Sequence, residues 1–271
     1  MCSPYSVLYL ASTGSFMLTY LQNSLQLTGP EVLISLCVIT LAGMVRGFSG
    51  FGQSAMIMSG LALIIPPATL IPICLLLEGV ASLLMFRGGL TMADRKLAFG
   101  LAAFSIIGLP IGLTITLSVP TDISRTVALS LVLVLALLQL LRKSPTFFSG
   151  NIGIYVTGLL AGTASGLASA GGMVVALYVL SQNTTAAKMR ASLVTYLLLT
   201  LIASAFTLWA SGMLDSLVLI RAAIFAPFII TGVLLGTFLF RPSLQHFYKR
   251  FCLCLLMGLA AVGLVRLLLG F

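Results

Sequence analysis

The sequence predicts an all-α polytopic membrane protein made of two inverted repeats, each a re-entrant or broken helix hairpin followed by three transmembrane helices. Three observations predict it. Apolar residues make up 60% of the chain and charged residues only 7%, with a mean hydropathy of +1.20, too little polar surface to coat a soluble globule. Glycine-rich interruptions recur at a fixed spacing. Basic residues fall overwhelmingly on one side of the threading that those interruptions imply.

Six apolar segments, Pro67 to Phe86, Leu97 to Leu117, Ser124 to Leu141, Ala186 to Ala210, Ser216 to Phe240 and Phe251 to Leu269, are each long enough to cross a hydrocarbon core of about 30 Å as a helix. Two further regions are interrupted: Glu31 to Ile65 by Arg46-Gly-Phe-Ser-Gly-Phe-Gly52, and Ile152 to Leu180 by Ser165-Gly-Leu-Ala-Ser-Ala-Gly-Gly172. Glycine at this density breaks helices. The first half-helix, Glu31 to Val45, would be only about 22 Å long, too short to span, which favours a re-entrant hairpin.

The interruptions superpose as Gly43 on Gly162, Gly47 on Gly166 and Gly52 on Gly171, each pair 119 positions apart. Gly108-x-x-x-Gly112 and Gly232-x-x-x-Gly236 recur in the corresponding later helices, at an offset larger by five. The chain therefore divides into an N-terminal segment, 1–30, interfacial or an extra span, a first repeat, 31–145, and a second, 146–271. The first thirty residues hold no Lys or Arg and no small-residue cleavage site, so no cleaved signal peptide is expected.

If each interrupted region returns to the side it left, one side collects Arg87, Arg95, Lys96, Arg142, Lys143, Lys188, Arg190, Arg241, Lys249 and Arg250, and the other Arg125, Arg221 and Arg266. If each crosses once, the split becomes seven against six. Basic residues concentrate in cytoplasmic loops, so the returning reading is preferred. A return plus three crossings is odd, and the second copy then inserts upside down. The two breaks should meet near the bilayer midplane, where transporters of this kind bind substrate.

Broken backbone at membrane depth requires protein or a wet cavity to satisfy its amides. New helices start near Gln53 and Met173, and helix N-termini attract anions. The candidate binding residues are Arg46, Gly47, Ser49, Gly50, Gly52, Gln53, Ser165, Ser169, Gly171, Gly172 and Arg190. The glycines also suit simple close packing. Arg46 either pairs with an anion, caps carbonyls of the broken helix, or pairs with Glu78; burying it costs about 3 kcal/mol on insertion scales. Glu78, inside a spanning segment, is either such a partner or a proton carrier, a coupling or ion-pair residue. Arg190 follows the second break, where its counterpart Ile71 is uncharged, and is either a site residue or positive-inside decoration, like Lys188. His246 is expected in a solvated basic loop and Trp209 at a membrane interface.

The segment Gly43-Met-Val-Arg-Gly-Phe-Ser-Gly-Phe-Gly52 resembles the first signature of the TauE/SafE family of sulfite and organosulfonate exporters, also called toluene sulfonate uptake permeases. Gly162 to Gly172, followed by Lys188-Met-Arg190-Ala-Ser, resembles the second. The chain departs in a longer N-terminal segment and in Ala168-Ser169-Ala170, where many members continue a glycine run. The resemblance implies a multi-pass transporter of the bacterial inner membrane, with export of a small sulfur-containing anion favoured over import or uniport. It implies contact with membrane lipid, no cofactor, no nucleic acid and no enzymatic activity; no oligomeric state is assigned.

A thiol-redox carrier is the competing class. It would need two cysteines within reach of one another, and Cys2, Cys37, Cys74, Cys252 and Cys254 form no CxxC pair and no metal-ligand cluster. A membrane hydrolase finds no plausible set of groups.

Overall fold

A computed structural model describes residues 19–85, 93–141, 151–181, 186–239 and 245–269. Beyond a helical stretch at 19–25, these residues form ten helices: α1 (Gly29–Ser49), α2 (Gln53–Leu61), α3 (Pro67–Met85), α4 (Arg95–Ser118), α5 (Thr121–Leu140), α6 (Asn151–Ala168), α7 (Gly171–Ser181), α8 (Ala186–Ala210), α9 (Ser216–Leu239) and α10 (Gln245–Leu268). Seven are long and apolar enough to cross a membrane, namely α1, α3, α4, α5, α8, α9 and α10. The protein is an all-α polytopic membrane protein. All six uninterrupted segments became helices.

The seventh, α1, corrects the expected half-helix. It starts at Thr28, whose backbone N–H and hydroxyl both donate to the Glu31 carboxylate at 2.8 Å, a reciprocal cap with Pro30 in the first turn. It then runs through Arg46 and Gly47 to Ser49, 21 residues in all, or about 31 Å. Gly47 does not break it because the missing side chain serves packing: a Cβ there would stand 2.6 Å from the Val233 carbonyl oxygen of α9. The break comes at Gly50 (φ 80°) and Gly52 (φ 85°), in the left-handed region that glycine enters freely. Beyond it, α2 lies back along α1, with Gly52 against Val45 and Gly60 against Val38.

Glycine governs the two closest helix seams. Gly43 and Gly47 of α1 meet Gly232 and Gly236 of α9; Gly162 and Gly166 of α6 meet Gly108 and Gly112 of α4. At each contact an added Cβ would fall within 2.2 to 2.7 Å of the facing backbone, so only glycine permits such an approach. Every residue in the second seam is the counterpart of one in the first. The remaining pairings exchange likewise: α4 packs on α8 as α9 does on α3, while α3 meets α8 and α5 meets α10. Asp94 and Asp215 cap α4 and α9 through the amides of Leu97 and Val218.

The outer faces carry apolar side chains, among them Ile202, Phe238 and Leu268, each at least 80% exposed, a coat suited to lipid. Trp209 is exposed one residue before the end of α8. The α3 span is the most enclosed of the seven, so polar groups on it face protein rather than lipid. The first eighteen residues lie outside those described; residues 19–25 are helical, and Leu25 is tied to α9 by two bonds from Arg221 to its carbonyl, 2.7 and 3.0 Å.

Candidate anion site at two helix breaks

The first break is held from within α1. Arg46 is fully buried; its Nη1 donates to the Gly50 carbonyl at 2.6 Å and its Nη2 to the Ser82 hydroxyl of α3 at 2.8 Å. The Ser49 hydroxyl contacts the Val45 carbonyl at 2.8 Å and accepts from the Phe51 amide at 3.2 Å. Both side chains thus satisfy backbone that the break leaves open. Arg46 and Glu78 interact electrostatically, and Ser54, in the first turn of α2, is a further polar neighbour of the Glu78 carboxyl.

The second break starts later than expected, since α6 continues through Ser165 and Gly166 to Ala168; it turns at Ser169, a non-glycine residue with φ 51°, a conformation that disfavours side chains by about 1 to 2 kcal/mol. Its amide donates to Ser165 O at 2.9 Å and the Ala170 amide to Ala164 O at 3.1 Å, closing the end of α6. Gly171 packs tightly: a Cβ there would meet the Ser165 hydroxyl at 2.0 Å and the Ala161 carbonyl at 2.4 Å. Gly172 is roomier, with nothing nearer than 3.8 Å.

The two breaks converge on one stretch of α3. The Ser169 hydroxyl points to Ile71 O at 3.5 Å, Cys74 lies beside both Ser54 and Ser169, and Glu78 and Ser82 face Arg46. A Cβ on Gly172 would stand 3.9 Å from that of Phe51. The starts of α2 and α7 are therefore neighbours, each presenting the positive end of a helix dipole.

At the start of α2 lies Gln53, completely buried, with neither its amide oxygen nor its amide nitrogen hydrogen-bonded. Each such group costs about 1 to 3 kcal/mol unless something pairs with it. Gln139 of α5, which sequence reading missed, donates to Met173 O in the first turn of α7 at 2.9 Å and keeps its own carbonyl oxygen unpartnered. Ser82 and Tyr196 were likewise missed.

A narrow cavity between α3, α4, α6 and α8 brings Glu78 together with Ser105, Ser165 and Tyr196. The Ser105 hydroxyl reaches Gly158 O at 2.8 Å and Tyr196 Oη at 2.7 Å.

A family model described as sulfite exporter TauE/SafE matches residues 35–263, a stretch that contains both breaks and both glycine seams. The chain belongs to the TauE/SafE family. This TauE/SafE protein is accordingly a transporter, not an enzyme, and a multi-pass protein of the bacterial inner membrane. No curated protein and no solved structure matches it.

In this TauE/SafE chain the predicted residues sort by surroundings. Arg46, Ser49, Gly50, Gly52 and Gln53 gather at the first break; Ser165, Ser169, Gly171 and Gly172 at the second. Gly47 faces the α9 backbone. Arg190 lies in the first turns of α8, and its side chain, like that of His246, is outside the described residues. Lys188 pairs with Asp94 at 3.4 Å, both partly exposed. Cys37, Cys74, Cys252 and Cys254 are all free.

Proposed function

We propose that this TauE/SafE protein is a secondary transporter of sulfite, an organosulfonate or a related small sulfur oxyanion, with export favoured, and that the anion binds where the two breaks meet. The observation that carries this reading is Gln53: a buried amide without hydrogen bonds, set between two adjoining helix starts that both attract negative charge. Neutral donors and helix dipoles contact the anion directly, which allows release as well as capture. Gln53 and the first-turn amides of α2 and α7 contact it; Gly172 leaves room for it. Arg46, Ser49 and Ser169 shape the breaks, and Arg46 adds positive potential.

The family description favours a sulfur oxyanion over other anions and export over uptake. The interchangeable seams favour two copies of one unit related by inversion, with α1–α2 and α6–α7 as hairpins that approach from opposite sides. Alternating access would then rock one seam-linked group of helices against the other. Purified protein in liposomes, offered sulfite, methanesulfonate, taurine, nitrate and chloride with and without a pH gradient, tests the reading. Sulfite or sulfonate flux well above that of nitrate and chloride is expected; equal flux of all five would replace it with a general anion uniporter.

A further inference from the structure

Glu78 is the one carboxylate of five that does not sit at a helix start. Glu31, Asp94, Asp122 and Asp215 all lie at or within three residues of the first residue of α1, α4, α5 and α9, whereas Glu78 is in the middle of α3, the most enclosed span. Its neighbours are the guanidinium of Arg46 and the hydroxyl of Ser54. Those groups belong to the first break and to the opening turn of α2, so the carboxylate lies at the positive end where the proposed anion binds.

The other side of Glu78 faces the narrow cavity. Its accessible volume is about 20 Å³, enough for a water but not for a sulfonate. Ser105, Ser165, Tyr196, Thr200 and Ser204 line it with hydroxyls. A cavity of that size, with hydroxyls beside Leu75, Leu109 and Leu197, accommodates a water next to the carboxylate but no substrate. Among titratable groups, Arg46 from α1, Cys74 one turn earlier on α3 and Tyr196 from α8 interact with Glu78 or share its surroundings. The charged residues of α4, α5, α8 and α9 cluster near their starts, where Asp122 pairs with Arg125 and Arg221 bonds to Leu25; α6 carries none.

We infer that Glu78 is the proton-binding residue of the transporter, and that anion binding at the breaks and proton binding at Glu78 promote one another. This rests on the site proposed above. Without substrate, the ionised carboxylate is the resident anion beside Arg46 and Ser54. An arriving anion places a second negative charge against the same cation in a medium of low permittivity, where the two repel strongly. A proton from cavity water forms an O–H bond on the carboxylate and removes that repulsion; its loss to water on anion release restores the charge. By linkage the coupling is reciprocal. Proton and anion then cross together, a monoanion without net charge, and the direction follows the sum of both gradients.

The test is calorimetry of methanesulfonate and thiosulfate, neither of which titrates near neutral pH, with purified wild-type protein in buffers of differing ionisation enthalpy. Uptake of about one proton per anion is expected, with affinity rising up to about tenfold per unit fall in pH over the coupled range. Glu78→Gln should bind with no proton uptake and a flat pH dependence. Wild-type binding without uptake, or uptake that persists in Glu78→Gln, overturns the inference. If that variant does not fold, the wild-type infrared difference spectrum decides: a protonated-carboxyl band that appears with the anion supports Glu78, and its absence overturns it. If neither sulfur anion binds but nitrate does so with proton uptake, the substrate class falls and the coupling stands; if no anion binds, both fall.

Discussion

Arg46 donates through Nη1 to the carbonyl of Gly50, four residues ahead and across the end of its own helix, at 2.6 Å. With the bond to Ser82, it fastens the first break to α3. An Arg46→Ala change loses both and strands the Gly50 carbonyl, at about 1.5 to 3 kcal/mol for each bond from a charged group. Arg46→Lys keeps the charge but cannot form the fork, so it recovers part of the stability. Thermal unfolding of detergent-purified variants should order wild type above Lys above Ala. Anion affinity in the folded fraction should fall about tenfold to a hundredfold for Ala, and unchanged affinity would leave Arg46 a purely structural tie.

Gln53 should show the opposite relation between stability and function. Replacing an unpaired buried amide by an apolar side chain of similar length removes a burial cost. Gln53→Met is expected to raise the melting temperature while anion binding is lost. A destabilised Gln53→Met protein would indicate that the amide already serves the fold.

Glycine substitutions should separate by surroundings. Gly162→Ala drives a Cβ to 2.2 Å from Ser105 O, whereas Gly258→Ala meets nothing within 4 Å. The first should cost about 1 to 3 kcal/mol or more through overpacking; the second should be neutral or slightly stabilising. Unfolding midpoints of the two variants check this directly.

At the breaks, Gly52 is limited by its φ of 85°, with the nearest atom 3.5 Å away, and Gly171 by contact with Ser165 and Ala161. Asparagine tolerates positive φ and valine does not. Gly52→Asn should therefore retain transport that Gly52→Val loses, while every side chain at Gly171 impairs folding. Flux and yield measured together distinguish the two causes.

The threading predicts the loops around Arg95, Arg142 and Lys249 on the cytoplasmic side. Single cysteines placed there in a cysteine-free background should resist a membrane-impermeant thiol reagent in intact cells and react once the cells are opened. Strong labelling in intact cells would reverse or dismantle the inverted arrangement.

Sequence alone carried much of this. Apolar run length located six spans because a membrane helix has to satisfy its backbone internally and present apolar side chains to lipid. The repeated glycine spacing located both breaks. It misplaced the start of both, because a glycine that ends a helix and one that lets a neighbouring helix approach look alike in sequence; only the facing α9 and α4 backbones identify Gly47 and Gly166 as the second kind. Gln139 and Ser82 escaped notice because their relevance depends on α5 and α3 packing beside the breaks, a long-range fact that no local pattern encodes.

The glycine seams also bear on how the chain is made. Gly43 and Gly232 are separated by 189 positions (232 − 43), so α1 leaves the ribosome long before the only surface that fits its groove exists. During that interval the nascent chain carries backbone recessed beneath a row of absent side chains, which lipid tails or an insertase must cover. The same holds for α4 until α6 emerges, over a shorter delay. A chain stopped after α5 would hold two unfilled grooves, and quality-control proteases of the membrane would meet it as an unfinished substrate rather than as half of a working protein.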